Sequence, residues 1–302
     1  MPYADAHRPS PSAVPQFVDA WQPCIDVRAA WPARIGPRVN MFNRYRVADA
    51  PAAMCEAAAV FETRFAITFD SLTHFPGDAF ARLHARAGDE NSLMTRVDVA
   101  FECHDSVRAD FEVLTQVANM PLPDAADRIG YFDALLRVYE CVGIPAYNAD
   151  SVIVAPEREG RMLAEALGWL RDPSDLVPHA KRIAYRHGLL VGVARCPQPA
   201  RGAHLVCVDG AIASGGTLIA ILDSLAAPGT RVDIYSVHAA REGIRAILRF
   251  AELARLDVRL HVGHVTDGLS PKFYAVEGPD HHVVVGDIGD MISTAAYRAA
   301  CR

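Results

Sequence analysis

The sequence predicts an α/β protein built on a doubly wound parallel sheet, with an extra N-terminal α+β region, and three observations carry that expectation. From about residue 150, short apolar runs alternate with helical stretches at a spacing that suits crossover connections. One such run, Leu205 to Val208, leads through Asp209 into a small-residue loop and then an apolar helix. Ahead of residue 150 the pattern is mixed instead, with helical and half-buried strand patterns following no regular alternation.

The elements follow in order. Residues 1–16, polar and rich in proline, read as a flexible leader, and 17–145 as the α+β region. There Phe65 to Phe69 is strand-like, and Arg96 to Cys103 alternates as a half-buried strand does. Val107 to Ala118 and Asp124 to Val142 have helical spacing, with Asp124 placed to cap the second after Pro121 and Pro123. Residues 146–302 form the sheet domain. Its expected strands are Ser151–Val154, Leu189–Val193, Leu205–Val208, Arg231–Val237, Val258–Val262 and His282–Val285. Its expected helices are Arg161–Leu170, Leu218–Leu225 and Glu242–Leu256, with a turn at Pro228-Gly229.

Bulk properties exclude several classes. The chain has 302 residues, 51% hydrophobic and 22% charged, which supports a large core. The net charge of −6 and the absence of any Lys/Arg-rich run argue against a nucleic-acid partner. No apolar stretch reaches the roughly 18 residues of a membrane span, and the N-terminus has no apolar signal region, so a cytoplasmic location is expected. The seven cysteines are scattered without a Cys-x-x-Cys pair, which suits reduced thiols; Cys207 reads as a core residue.

The candidate chemistry lies at strand ends, where open α/β sheets bind ligands. Ala213-Ser214-Gly215-Gly216-Thr217 before a helix is the architecture that cradles a phosphate: glycines admit close approach, N–H groups converge, and the helix end is partly positive. Asp209 beside it would repel a bare phosphate but could accept hydrogen bonds from the hydroxyls of a phosphorylated sugar. Further strand ends carry Ala155-Pro-Glu-Arg-Glu-Gly160, His238-Ala-Ala-Arg-Glu-Gly-Ile244 and Gly286-Asp-Ile-Gly-Asp290.

These segments together resemble a known family. Val208-Asp-Gly-Ala-Ile-Ala-Ser-Gly-Gly-Thr217 is similar to the 5-phosphoribosyl-1-pyrophosphate (PRPP) motif of type I phosphoribosyltransferases. Ala239-Ala-Arg-Glu-Gly-Ile244, then Asp267, Leu269 and Tyr274, then Gly286-Asp-Ile-Gly-Asp-Met291, stand in the order of the uracil phosphoribosyltransferases, over roughly residues 150–294. The resemblance implies the type I phosphoribosyltransferase kind of parallel sheet, a homodimer, and transfer of a 5-phosphoribosyl group from PRPP to uracil or another nitrogenous heterocycle with release of pyrophosphate. A non-catalytic PRPP- or nucleotide-binding regulator on the same fold is the alternative.

The residue roles it implies are as follows. Asp209 takes the ribose hydroxyls, and Gly210, Ala213, Ser214, Gly215, Gly216 and Thr217 surround the 5-phosphate. Pro156, Glu157 and Arg158 face pyrophosphate, with Arg158 and Arg195 as cations. Asp287 sits by the ribose and an indirectly held Mg²⁺, and Tyr274, Ala275, Gly286 and Asp287 border the acceptor. Asp209, Arg158 and Asp287 are the candidate catalytic residues. The sequence departs from the family at Glu277-Gly-Pro-Asp-His-His282, which lengthens the acceptor side, and at Met291, where the family has arginine. Read without the resemblance, the glycine pair suits a tight turn, Arg158 suits a surface pair with Glu157 or Glu159, and Asp290 suits a helix cap. Adjacent His281 and His282 on a strand would face opposite ways and make poor metal ligands; Asp70, Asp98 and Glu102 suit wet strand faces.

Overall fold

The structure, a computed structural model, describes residues 43–86, 88–99, 105–118, 120, 124–142, 151–157, 159–170, 172–185, 188–270, 273–277 and 282–283. In chain order these form β1 (Asn43–Arg46), α1 (Ala52–Phe65), β2 (Phe69–Pro76), α2 (Gly77–His84), α3 (Glu90–Met94), β3 (Val97–Val99), α4 (Asp105–Ala118) and α5 (Ala125–Val142). Then come β4 (Ser151–Val154), α6 (Glu159–Ala166), β5 (Ala180–Tyr185), β6 (Gly188–Ala194), β7 (His204–Ile212), α7 (Gly216–Leu225), β8 (Arg231–Ala240) and α8 (Arg241–Ala254). Last are β9 (Asp257–Thr266), β10 (Gly268–Leu269), β11 (Ala275–Glu277) and β12 (His282–Val283).

The expected doubly wound sheet is present. Five strands in the order β3-β9-β8-β7-β4 pair in parallel throughout. Its central strands are apolar on both sides because both faces are covered. Helices α7 and α8 bury Leu218, Ile219, Leu222, Ile244, Ile247 and Phe250 against one face. Helices α4, α5 and α6 bury Phe111, Leu114, Tyr131, Leu135, Tyr139 and Leu163 against the other. Asp124 and Asp127 at the start of α5 accept each other's backbone N–H at 2.9 Å, a reciprocal cap where one aspartate cap was expected. No helix among the described residues is long and apolar enough to cross a membrane.

The structure corrects several boundaries. The apolar run Leu189–Val193 is β6, and it belongs to a separate antiparallel sheet, β1-β2-β6-β5, not to the parallel one. Full burial on both faces makes an antiparallel strand read like a parallel one; β6 is buried from Gly188 to Val193. Phe65 ends a helix rather than opening a strand: Ala66 takes a left-handed φ of 53° as its cap, and the strand begins at Phe69. His282 lies in a small antiparallel sheet, β10-β11-β12, with Val284 and Val285 outside the described residues. In the described part of the run from Arg96 to Cys103, Val97–Val99 forms a strand; residues 100–104 are outside the described set.

Strand pairing crosses residue 145 in two of the three sheets. β3 pairs with β9 at the edge of the parallel sheet, and β2 pairs with β6 over the length of the antiparallel one. Long-range pairing of this kind is set by which apolar faces need covering, and chain position carries no mark of it.

Two features of the central strands bear on the site. Pairing lapses together at Gly210, Val237 and Gly263 while the register is kept on either side. Beyond that row the alternation slips by one: Cys207, Ile234 and Val262 face the α7–α8 core, and so do Ile212 and Ala239. Glycine serves this row because a Cβ at Gly263 would stand 2.3 Å from the Val237 carbonyl oxygen. Toward the N-terminal ends of the strands, a polar chain crosses all five. Ser151 Oγ meets His204 Nδ1 at 3.2 Å, and His204 Nε2 meets Asp233 Oδ2 at 2.6 Å. Asp233 Oδ1 meets His261 Nε2 at 3.1 Å, and His261 Nδ1 meets Asp98 Oδ2 at 3.1 Å.

Candidate functional site

Asp209 was expected just past the end of its strand. It lies inside β7, which continues in parallel pairing to Ile212 opposite Ala239. The residue is half-buried. Burial drives its carboxyl up to about 7, and a hydrogen bond from the Gly210 N–H and the positive charge of Arg182 oppose that rise. From the opposite face the Tyr139 hydroxyl approaches the carbonyls of both Asp209 and Tyr235, the latter at 2.9 Å, and so ties α5 to this point of the sheet.

Downstream, the loop folds as a tight entry to α7. Gly215 takes φ 78° as the residue before the helix, a conformation open to glycine at little cost. A Cβ there would lie 2.9 Å from the Gly243 carbonyl oxygen, and one on Gly216 would lie 2.4 Å from Leu189 Cδ2. The glycines therefore let the loop nest between α8 and β6. Ser214 is buried, and its hydroxyl oxygen accepts from the Gly216 N–H at 3.3 Å. The first helical bond runs from Ile219 N–H to the Gly215 carbonyl at 3.0 Å, so the N–H groups of half-buried Thr217 and of Leu218 precede the helical ladder. Such donors at a helix N-terminus suit an anion.

The 155–160 segment is fixed by backbone bonds from Ala155 N–H to Leu176 and from Glu157 N–H to Pro178, at 2.9 and 3.0 Å. Pro156 is buried, and Glu157 pairs with Arg161 at 2.7 Å. Arg158 itself lies outside the described residues, as do Gly286 and Asp287. Arg195 is exposed and follows Ala194, whose N–H bonds the His179 carbonyl at 2.8 Å. Its side chain is not brought to Asp209 by any described contact. Glu159, absent from the expected site, packs its carboxylate against Gly210.

Arg182 on β5 is the functional candidate that sequence reading missed. Its guanidinium donates to the Phe273 carbonyl at 3.3 Å and stands 5.5 Å from the ring centroid of Tyr274, while its charge acts on Asp209. It thus joins the candidate ribose side to the candidate acceptor side, where Tyr274 is half-buried and Ala275 pairs with Leu269. The one available signal was a Lys-Arg pair one strand-length ahead of an apolar run, which reads equally well as a solvated stretch.

Among the described residues, no three or more of His, Cys, Asp and Glu cluster as a metal site. A Mg²⁺ ion would need only one or two carboxylates, with its remaining ligands from phosphate oxygens and water, and Asp209 is the described carboxylate beside the loop.

No protein-family model matches the chain. Among solved structures, it is similar to the AQ2163 protein from Aquifex aeolicus, with 23% identity over 64% of this chain and 96% of that one, at a TM-score of 0.45. It is also similar to orotate phosphoribosyltransferase from Mycobacterium tuberculosis in complex with PRPP, with 13% identity over 55% of this chain and 94% of that one, at a TM-score of 0.32. A third similarity is to the adenine phosphoribosyltransferase of Giardia lamblia complexed with 9-deazaadenine: 18% identity over 49% of this chain and 88% of that one, TM-score 0.32.

Proposed function

We propose that this protein binds PRPP and transfers its 5-phosphoribosyl group to a nitrogenous heterocycle, uracil or a related base, releasing pyrophosphate. The supporting observation is the placement of Asp209 on a central parallel strand, four residues before a glycine loop that opens α7, with the charge of Arg182 acting on it. A carboxylate beside an anion cradle suits a ligand whose phosphate and hydroxyls must be held together.

In this reading the N–H groups at the start of α7 hold the 5-phosphate. Asp209 accepts from the ribose hydroxyls, which orients the anomeric carbon. Arg182 faces the anionic end of the donor and supports the departing pyrophosphate as negative charge develops on it. Mg²⁺, when bound with the donor, supplies further neutralisation of that charge. Tyr274 and Ala275 border the acceptor. No general base is required of the protein where the acceptor is already nucleophilic at the reacting nitrogen.

Glu157 favours a second reading, a PRPP- or nucleotide-binding regulator, because Arg161 engages its carboxylate on the loop assigned to pyrophosphate. One experiment separates the two: the purified chain is incubated with PRPP, Mg²⁺ and a panel of bases, with pyrophosphate release and PRPP binding both measured. Release with one base supports the transferase. Binding without release for any base supports the regulator, and no PRPP binding overturns both.

A further inference from the structure

The N-terminal region, to which the sequence assigns no role, meets the loop read as a phosphate cradle at a histidine. His84, the last residue of α2, places Nε2 2.9 Å from the carbonyl oxygen of Ser214. A carbonyl only accepts, so Nε2 carries the proton. Burial holds the imidazolium form of His84 down, which favours the neutral ring in that tautomer.

The consequence follows from covalent geometry. In a planar trans peptide the C=O and the next N–H point in opposite directions. Holding the Ser214 oxygen toward α2 therefore turns the Gly215 N–H away from α2. Gly215 is the residue at which this peptide could flip cheaply, because glycine accepts φ of either sign and here stands at 78°. The local sequence thus leaves two orientations open, and the contact with His84 selects one.

The end of α2 that carries His84 is tied to α8. Arg249 on α8 donates to the carbonyls of Arg82 and Leu83, the latter at 3.0 Å, and Arg245 bonds Glu90 at 2.8 Å. The Phe80 ring lies tilted against His84 at 4.2 Å and against Phe273 at 5.6 Å between centroids, which places the same helix against the residue before Tyr274.

We propose that His84 is a positioning residue of the anion cradle, fixing the Ser214–Gly215 peptide so that the Gly215 N–H joins the donors at the start of α7. This inference rests on the reading of that loop as a phosphate site. It makes α2 a working part of the site and not an appended domain.

The test uses the full chain and two probes, inorganic phosphate and PRPP, in His84→Leu and His84→Gln, with thermal unfolding as a control. Leucine fills space without donating; glutamine can place an amide N–H near the position of Nε2. His84→Leu should weaken both probes about tenfold, the scale of one lost hydrogen bond, and raise KM for PRPP with kcat within about twofold. His84→Gln should return binding to within about threefold of wild type. The Gly215 amide signal in a ¹H–¹⁵N spectrum should respond to phosphate in wild type and His84→Gln but not in His84→Leu.

Wild-type affinity in His84→Leu overturns the proposal, as does equal weakening in both variants when both keep the wild-type unfolding midpoint. Should His84→Leu fail to fold, His84→Asn replaces it, its amide being too short to reach, and equal binding by the Asn and Gln variants overturns the proposal. Wild-type binding of phosphate without PRPP sinks the transferase reading and leaves the variant comparison on phosphate decisive. Binding of neither probe overturns both.

Discussion

Glu159 occupies the space that a side chain at position 210 would need: a Cβ built on Gly210 lies 1.5 Å from Glu159 Oε1. The relation joins the first turn of α6 to the strand that carries Asp209. Gly210→Ala should therefore displace a buried carboxylate and destabilise the fold by about 1–3 kcal/mol. Glu159→Ala in the same chain should recover most of that loss. Urea unfolding of the single and double variants measures both, and a wild-type midpoint for Gly210→Ala would show that Glu159 is not confined there.

Asp209 gives a pH dependence of stability with a definite sign. Its folded-state carboxyl titrates near 7, above its ordinary value of 3.8, because burial disfavours the charge. Between those values the folded protein binds more protons than the unfolded chain, so this group's contribution to stability falls as pH rises through the window. Asp209→Asn should lose that slope and should also weaken PRPP use while the fold persists. Unfolding midpoints of wild type and variant with the same slope from pH 4 to 7 would refute the titration, and wild-type turnover would remove Asp209 from the site.

Arg182 should matter for ligand use more than for folding, since its side chain is partly exposed and its partners are the Phe273 carbonyl, the Tyr274 ring and the charge of Asp209. Arg182→Ala is expected to raise KM for PRPP about tenfold or more, with Arg182→Lys intermediate because the ammonium keeps the charge and loses the planar fork. Steady-state kinetics, or PRPP affinity by calorimetry, is the measurement. An unchanged affinity in Arg182→Ala would leave Arg182 as a surface tie only.

Asp233 predicts the acid limit of the fold. Burial raises its carboxyl, but hydrogen bonds from His261 and His204 and the charge of Arg231 outweigh that and bring it to about 2. Its folded-state value is depressed, so its stabilisation is present above about 3.8 and is lost as pH falls toward 2. Asp233→Ala should cost about 3 kcal/mol at neutral pH, the scale for removing one partner of a buried charged network. Acid titrations followed by circular dichroism should show a shallower limb in Asp233→Asn than in wild type; parallel limbs would rule out Asp233 as the group that sets it.

The strands β4, β7, β8 and β9, the helices α4, α5, α7 and α8, and the strand–loop–helix at 205–225 were readable from the chain because each depends on neighbours only a few residues away. Apolar period, a capping aspartate and a glycine pair are local signals, and Gly215 does adopt the left-handed turn that the glycine pair suggests. What the chain could not reveal is which distant segments meet. β6 reads as one more parallel strand until β2, more than a hundred residues earlier, is seen beside it. The Lys-Arg pair at 181–182 reads as solvated chain until folding lays β5 across from Asp209 and Tyr274. The sequence by itself determined the class of fold and the loop suited to an anion. Only the tertiary structure decided which cation stands near Asp209, which carboxylate fills the space at Gly210, and that a histidine from the N-terminal region holds the loop's peptide. Those choices come from covering apolar faces and satisfying buried polar groups across the whole chain, and no window of neighbouring residues records them.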